Sequence, residues 1–458
     1  MLRKGLAACL AFGSCLAAFS ASADEISPAR YFLSAGREFT FHSESTSEGK
    51  ANDSVYLVDW KVWSLGRDPD GAWRLVIRCD LRIKRDKGPQ PAQNDDIETL
   101  LWRCRMFDDG RFFGATTMGT VRDPFRLFPK LPQSAADRET GWASTGSERD
   151  GVTFEHHLKP GDSPGGENLS ITTQSRSSED KVYGSSHEYR ATFDGRRGVV
   201  TRVETKDVSG YPRSATTRGL IELAGVEDRG QAWATTFGQE ADRYFSAIEN
   251  YEAASAEAAQ DSARCKDVLA QAKANLEKAQ SGITTLVFLA AIKKKLAEHD
   301  QGASRVIAQA KNLAGRLGKS AADWEAKDLG GQTRRLSDYR GKVVVMDFWY
   351  RGCGWCMHAM PQVIRLSETF QSEPVAVLGM TIDEDDKDSR IVIDAMGITY
   401  PTIKAIGIPE KYGVTAYPTL IVIDPMGKVR KIHIGYSPRL FDELSVFIKG
   451  LIAEKPAE

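Results

Sequence analysis

A chain of 458 residues has room for more than one domain, and its composition is that of an ordinary water-soluble protein. The 61 lysines and arginines nearly balance the 62 aspartates and glutamates, which leaves a formal net charge of -1. This balance argues against nucleic acid or a strongly acidic surface as the partner.

The N-terminus has the composition of a secretory signal peptide at residues 1–23. Arg3 and Lys4 precede an apolar stretch at 6–19, and the small residues at 21–23 form a cleavage-type sequence. We therefore expect export to the periplasm or another extracytoplasmic space, with a mature chain that begins near Asp24. The alternative is a lipoprotein signal at Cys15.

The remaining chain is expected to be soluble. Its longest apolar candidate, at 283–292, is far shorter than the 18 or so residues needed to span a bilayer. Cleavage would discard Cys9 and Cys15 and leave five of the seven cysteines, a number consistent with an oxidising compartment.

Residues 24–230 predict an antiparallel β domain of unknown ligand. Short alternating apolar and polar runs are broken by turn residues, and the runs at 55–63 and 73–78 flank a turn sequence that predicts a hairpin. A meander or half-open barrel is the expected architecture. Cys79 and Cys104 each lie in a strand-like run, where they could form a structural disulfide or remain two buried thiols.

Residues 231–319 predict an α-helical coiled-coil hairpin. Apolar and small residues repeat in steps of four and three over 244–279 and again over 289–317, with the turn expected at Ser281-Gly282. An arm of about forty residues would span about 60 Å and could act as a spacer or a homodimer interface.

Two residues within this repeat carry their own expectations. His299 is expected to be a hydrogen-bonded core histidine. Cys265 is expected to be a small buried residue, with an intermolecular disulfide as the alternative.

Cys353-Gly354-Trp355-Cys356 is the most informative motif of the chain. It lies between a β-like run at 343–349 and a helix-like run that continues to Phe370, so Cys353 falls at a helix N-terminus. Unpaired N–H groups and the helix dipole favour a thiolate there, and cysteine pKa values in such motifs fall from about 8.5 to roughly 3.5–7.5. The motif predicts thiol–disulfide exchange, in which Cys353 attacks and Cys356 resolves the mixed disulfide.

Asp347 is the candidate proton acceptor for the resolving cysteine. It lies within the apolar strand, six residues before Cys353. A buried carboxyl there would have a raised pKa suited to proton transfer near neutrality. The alternative is an ordinary hydrogen-bonded residue at a strand end.

These residues resemble the thioredoxin superfamily, and particularly its periplasmic TlpA-like thiol–disulfide oxidoreductases. The resemblance covers roughly 320–454. The features that occur in the family's order are residues 338–342, the strand ending at Trp349, the cysteine pair, Pro361, and residues 412–414 followed by Pro418.

The resemblance implies an α/β thioredoxin-like fold over 320–458. It also implies a cis Tyr417–Pro418 bond beside the sulfurs, backbone at Pro418 that pairs with extended substrate peptide, and a kink at Pro361. Tyr417, Pro418 and Trp355 are therefore the expected substrate-binding residues.

The motif departs from the family at several positions. Trp355 replaces the usual proline before the second cysteine, and Gly352 replaces the usual tryptophan before the first. A freed backbone N–H and the nearby Arg351 would both favour the Cys353 thiolate and shift the couple toward oxidising values. Ala359 stands where cytochrome-maturation members commonly have glutamate, which argues against haem apoproteins as substrates.

Other kinds of site have less support. A zinc site would need a second Cys-x-x-Cys or a spaced histidine pair, and haem attachment would need histidine where Met357 stands, so no metal or other cofactor is expected. The peroxidatic motif of peroxidases is absent around Cys353.

The sequence thus predicts a multidomain, exported protein thiol–disulfide oxidoreductase. Its expected partners are cysteine-containing protein substrates and a redox partner protein, and reductase, oxidase and isomerase directions all stay open. The alternative is an envelope binding or scaffold protein whose thioredoxin-like head senses redox state without turnover.

Overall fold

The structure is a computed structural model that describes residues 28–49, 54–85, 97–113, 124–145, 153–159, 168–176, 178–211, 214–258, 263–437 and 439–454. The expected signal peptide, with Cys9 and Cys15, lies outside these residues. Within them, no helix has the length and apolar character required to cross a membrane.

The N-terminal part of the described chain forms one antiparallel sheet of eleven strands, interrupted by the short helices α1 (Ala135–Thr140) and α2 (Ser178–Tyr183). The strands are β1 (Arg37–Gly49), β2 (Ser54–Arg67), β3 (Trp73–Arg85), β4 (Glu98–Met106), β5 (Phe112–Phe113), β6 (Trp142–Thr145), β7 (Thr153–Leu158), β8 (Asn168–Arg176), β9 (Ser186–Asp194), β10 (Val199–Ser209) and β11 (Ala215–Asp228). We call this sheet, with α1 and α2, the sheet region.

The strand order across the sheet is β5-β4-β3-β2-β1-β11-β10-β9-β8-β7-β6. Two meanders therefore meet where β1 pairs with β11, and the antiparallel β architecture predicted from the alternation is confirmed. The alternation also selects the core face. In β1, Phe39 and Phe41 are buried while His42 and Glu44 point to solvent, because successive side chains of a strand face opposite sides.

The suggested disulfide between Cys79 and Cys104 is wrong. Strands β3 and β4 are neighbours, but the register places Cys79 opposite Leu100 and Cys104 opposite Leu75. The two cysteines are therefore four residues out of register, about 14 Å along the strands at about 3.4 Å per residue, whereas a disulfide needs Cα atoms within about 7 Å. Both remain buried thiols.

The turn predicted at Ser281-Gly282 is present, but the hairpin of two long arms is wrong, because the expected first arm consists of two helices. The described chain forms three helices here: α3 (Gly230–Ala258), α4 (Cys265–Gln280) and α5 (Leu286–Ala314). Arg243, in the middle of α3, donates a hydrogen bond to the carbonyl of Gly282, just after the end of α4. The end of α4 therefore lies beside the middle of α3. Tyr251 and His299 are hydrogen-bonded at 3.0 Å, so α5 then runs alongside α3 in the same direction.

Because the three helices fold back on one another, their apolar faces are buried within the same chain. Ala258, Cys265, Leu269 and Ala310 come together in one buried cluster from all three helices. The longest of these helices, α3 and α5, have 29 residues each and are about 43 Å long, whereas the sequence predicted an arm of about forty residues.

Two expectations for this helical part hold. His299 is 8% exposed and hydrogen-bonded to Tyr251, so it is a satisfied core histidine. Cys265 is fully buried inside the three-helix cluster, which is the first of its two expected states.

The C-terminal part, from residue 317, contains a five-stranded sheet in the order β16-β15-β14-β17-β18 and a small β12-β13 ribbon. The strands are β12 (Glu325–Lys327), β13 (Thr333–Arg335), β14 (Val343–Trp349), β15 (Val375–Thr381), β16 (Thr402–Lys404), β17 (Thr419–Ile423) and β18 (Val429–Ile434). The helices are α6 (Gly354–Thr369), α7 (Asp386–Met396), α8 (Pro409–Tyr412) and α9 (Leu440–Ala453). We call this part the redox region.

Strand β14 is the centre of the redox region, and all seven of its residues are buried. It pairs in parallel with β15 and antiparallel with β17. Its side chains alternate between two apolar clusters, with Val345 and Trp349 on the side of the cysteine pair and Met346 and Phe348 on the other. A continuous apolar run is what a strand buried on both faces requires.

A partly buried cluster of charged side chains connects α2 to the sheet. His187 and Asp207 are directly opposite on β9 and β10, with a 2.8 Å hydrogen bond, and the other ring nitrogen of His187 lies 3.3 Å from Asp180 of α2. Arg126 makes two bonds to Asp207, at 2.7 and 2.8 Å. Burial alone lowers the pKa of His187, but hydrogen bonds to Asp180 and Asp207 outweigh it and raise that pKa to about 9.

This cluster predicts a loss of stability in alkali. Because the folded-state pKa of His187 lies above the unfolded value of about 6.5, its stabilisation is complete below pH 6.5 and is lost as the pH rises through about 9. The loss should amount to about 3 kcal/mol in the free energy of unfolding, measured by urea titration at each pH. His187→Gln should remove this part of the pH dependence, whereas His157→Gln, at an exposed position, should keep it. An identical alkaline loss in both variants would contradict the assignment.

Candidate active site

The motif cysteines lie where a strand gives way to a helix. Strand β14 ends at Trp349, a short turn follows, and Cys353 is the N-cap of α6 with an extended backbone. Its sulfur is disulfide-bonded to Cys356 and accepts a hydrogen bond from the Cys356 backbone N–H at 3.1 Å. The expected strand and helix are both present, and together they place the Cys353 sulfur at the unpaired backbone N–H groups of the first turn of α6.

The two sulfurs differ in accessibility. Cys353 is 6% exposed, whereas Cys356, inside the first turn of α6, is 1% exposed. Both belong to the apolar cluster between α6 and the sheet. A reaction partner therefore meets Cys353 first, and Cys356 must exchange its proton within the protein.

Asp347 lies on the same side of β14 as the cysteine pair. It alternates with Val345 and Trp349, both in the cluster that contains Cys353 and Cys356. It is 2% exposed, and its Oδ1 has no hydrogen-bond partner within the described residues. Burial raises the pKa of Asp347 to about 7, since a carboxylate loses its hydration there.

Three further polar groups surround Asp347, and the sequence analysis missed them. The indole Nε1 of Trp349, the hydroxyl of Tyr400 and the Oγ1 of Thr402 are buried and have no hydrogen-bond partner in the described part of the chain. Two of them meet at Gly379, the residue opposite Asp347 on β15, where an added Cβ would lie 2.9 Å from the Thr402 oxygen and 3.1 Å from the Trp349 nitrogen. The Tyr400 ring approaches the same point through its Cε2, at 3.3 Å.

Gly379, within the apolar strand β15, is the feature of the sequence that could have indicated these polar groups. Such a glycine often marks a point where other atoms approach the backbone closely. The charge of Asp347 in turn contributes to the raised pKa of Tyr400, after burial as the main cause. The acid is therefore embedded in a small polar group inside an otherwise apolar core.

The Tyr417–Pro418 peptide bond is cis, as the resemblance implied. The Tyr417 ring makes an edge contact with Tyr350, in the turn before Cys353, with 5.5 Å between centroids. The Pro418 carbonyl accepts from the Gly435 N–H at 2.8 Å, so the bond is fixed at the start of β17.

An exposed aromatic surface flanks the cysteines on the other side. Trp355, inside the motif, is 55% exposed and stacks on Tyr436 with 5.8 Å between ring centroids. His358 contacts both rings, at 5.5 and 5.9 Å. An exposed tryptophan supported by other rings offers an apolar surface next to the sulfurs.

Arg351 does not present a free charge to the cysteines. Its guanidinium donates to Asp388 at 2.7 Å and to the carbonyl of Val182 at 2.8 Å, and it covers the Tyr211 ring at 4.0 Å. Val182 lies in α2 of the sheet region, and Tyr211 follows strand β10 of that region by two residues. The expected contribution of Arg351 to thiolate stability is therefore offset by its pairing with Asp388.

The redox region is similar to known proteins. Residues 317–432 match the model of the AhpC/TSA family. Over 121 residues, 26% of this chain and 70% of the relative, the chain is 34% identical to thiol-disulfide oxidoreductase ResA of Geobacillus thermodenitrificans. It is 32% identical to thioredoxin-like protein YneN of Bacillus subtilis over 121 residues, 26% of this chain and 71% of the relative.

A solved structure of a putative thiol:disulfide interchange protein DsbE from Chlorobium tepidum is 26% identical, covering 30% of this chain and 98% of that one, with a TM-score of 0.29. The similarity to ResA extends over more than two thirds of that relative. Through its redox region, the chain belongs to the thioredoxin superfamily and, within it, to the TlpA- and ResA-like thiol-disulfide oxidoreductases.

Proposed function

We propose that the protein exchanges disulfides with cysteine-containing protein substrates through Cys353 and Cys356. The observation that carries this proposal is a disulfide at the N-terminus of α6, together with a buried carboxyl on the facing side of β14 whose pKa is raised to about 7. The composition of residues 1–23 supports export, so the exchange would take place outside the cytoplasm. We propose boundaries at residues 24–230, 231–319 and 320–458 for the three domains.

The reaction begins with the reduced pair when the protein acts on a substrate disulfide. The Cys353 thiolate attacks one substrate sulfur, a mixed disulfide forms, and the other substrate sulfur leaves as a thiolate. Asp347 accepts the proton of Cys356. The Cys356 thiolate then attacks the Cys353 sulfur, the second substrate thiolate leaves, and the bond seen in the structure is formed.

This sequence passes two electrons from the cysteine pair to the substrate. A dithiol partner protein must then reduce the pair for another cycle. The same steps in reverse introduce a disulfide into a substrate, and the direction depends on which partner protein holds the pair reduced or oxidised.

Substrate binding is assigned to Trp355, Tyr417 and Pro418. Trp355 supplies the exposed apolar surface, and the cis bond places backbone beside the turn that carries Cys353. An extended peptide pairing with this backbone would bring its own cysteine to the reacting sulfur.

The assigned roles predict an asymmetry in trapping. Cys356→Ala should accumulate mixed disulfides with client proteins, because the attacking sulfur is intact and nothing resolves the bond. Cys353→Ala should not accumulate them, since the buried Cys356 is only 1% exposed. Acid quenching, thiol alkylation and non-reducing electrophoresis measure both variants, and equal trapping would contradict the roles.

Turnover distinguishes exchange from redox sensing. With dithiothreitol as reductant, the full chain should catalyse reduction of insulin disulfides, followed by precipitation of the freed B chain. Cys353→Ala should fall to the uncatalysed rate. A wild-type rate equal to that of Cys353→Ala would favour the sensor or scaffold alternative.

Asp347→Asn should slow the resolving step. Asp347 is a proton acceptor only when ionised, so the rate of mixed-disulfide resolution should rise through about pH 7 in the wild type and lose that rise in the variant. Loss of a general base typically costs about 10²–10⁴-fold in rate. Stopped-flow measurement of single-turnover resolution across pH 5–9 gives both profiles.

Asp394→Asn, at an exposed position on α7, is the matched control and should retain the wild-type profile. A profile with the same rise in Asp347→Asn would exclude Asp347 as the acceptor.

A further inference from the structure

The sheet region contacts the redox region next to the active-site turn. Helix α2 packs against α7. Val182 of α2 is fully buried and belongs to the same apolar cluster as Cys353 and Cys356. The core around the cysteines therefore includes a side chain from more than 150 residues earlier in the sequence.

Arg351 stabilises this contact between α2 and the active-site turn through hydrogen bonds. Its Nε donates to the Val182 carbonyl at 2.8 Å, its Nη2 donates to the same oxygen, and its Nη1 bonds Asp388 at 2.7 Å. The Arg351 backbone N–H donates to the Asp383 carboxylate at 3.1 Å. The Arg351 side chain is only 10% exposed, so these bonds are shielded from water.

Tyr211 completes the contact beside the motif. The guanidinium of Arg351 lies over its ring at 4.0 Å, and Tyr183 of α2 stacks on it with 6.4 Å between centroids. A Cβ added to Gly352 would lie 3.8 Å from the Tyr211 ring and 3.0 Å from that of Tyr350. A Cβ at position 352 would thus be in ordinary van der Waals contact with Tyr211 and tight against Tyr350, so Tyr211 lies directly beside the residue that precedes Cys353.

The contacting segment is itself held by the sheet. Asp180 of α2 lies 3.3 Å from the His187 ring on β9, and the Gly210 N–H donates to the Tyr183 carbonyl at 3.1 Å. Helix α2 and Tyr211 are therefore held in place by the eleven-stranded sheet. Together they form a fixed surface beside the active-site turn, which we call the wall.

We propose that this wall, formed by α2 and Tyr211, is a steric filter that restricts Cys353 to cysteines in extended, flexible segments. The inference rests on the proposed exchange reaction. Cys353 is 6% exposed, and two residues further along the motif Trp355, 55% exposed, carries an aromatic surface with Tyr436 and His358. An unfolded segment can lie along that surface and reach the sulfur, whereas a cysteine on a folded protein brings bulk that meets the wall.

The test compares one disulfide in two settings. A short cysteine peptide carries a glutathione mixed disulfide, either free or as a surface helix of a folded carrier protein. Single-turnover release of glutathione by the pre-reduced full chain gives a rate constant for each, and their ratio measures steric selection. Any change in the nucleophilicity of Cys353 multiplies both rate constants and cancels in the ratio.

The wild type should favour the free peptide by about tenfold or more, a factor that corresponds to about 1.4 kcal/mol. Tyr211→Ala should lower this preference several-fold by raising the rate with the carrier. Arg351→Gln should do the same independently, since it releases α2 from the turn. Tyr211→Phe, which keeps the ring, should restore the wild-type ratio.

Arg439→Gln removes an arginine that is 77% exposed in its side chain and should leave the ratio as in the wild type. A wild-type ratio near one, or a ratio unchanged in both Tyr211→Ala and Arg351→Gln, would overturn the filter while leaving the exchange reaction intact. Release from neither substrate would instead overturn the proposed function and this inference with it.

Discussion

The arrangement of the redox region depends on one costly burial, that of the Asp347 carboxyl on the side of β14 that faces the cysteine pair. A carboxylate that loses its hydration without gaining a charge partner is held closer to its neutral form, and burial is the cause of its raised pKa. A strand buried on both faces places this acid, and the strand's other residues are apolar. The surrounding core is thus both what shifts the pKa and what keeps the acid near the cysteines.

Asp347 is accompanied in this part of the core by other buried polar side chains. Trp349 and Thr402 bring a nitrogen and an oxygen to the space left by Gly379, and the ring of Tyr400 lies against the same space. An apolar core normally leaves few polar atoms without partners, and those that remain often belong to functional sites. In the proposed exchange, this group lies on the side of β14 from which the proton of Cys356 must be removed.

The same turn that presents Cys353 also joins two parts of the chain. Arg351 comes two residues before the attacking cysteine, and its side chain is bonded to α2 and α7 rather than turned toward the sulfur. Pairing with Asp388 neutralises its charge, so the contact positions the turn more than it changes the local electrostatics. The sheet region is therefore part of the surroundings of the reactive disulfide.

The sequence by itself determined the local elements and the chemistry of the motif. A period of two predicted strands, a period near 3.6 predicted helices, and the cysteine pair between strand and helix predicted the N-cap position of Cys353, because each signal depends on residues close in the chain. The family resemblance added the cis bond before Pro418.

The tertiary structure alone decided strand register, helix direction and the contacts of Arg351. Cys79 and Cys104 are on neighbouring strands, yet only the register shows that they are four residues out of line. The helices of the middle part repeat as predicted, yet only packing shows that α4 turns back on α3. Arg351 and Val182 are 169 residues apart, and such contacts follow from how whole elements bury their apolar faces, which no local pattern encodes.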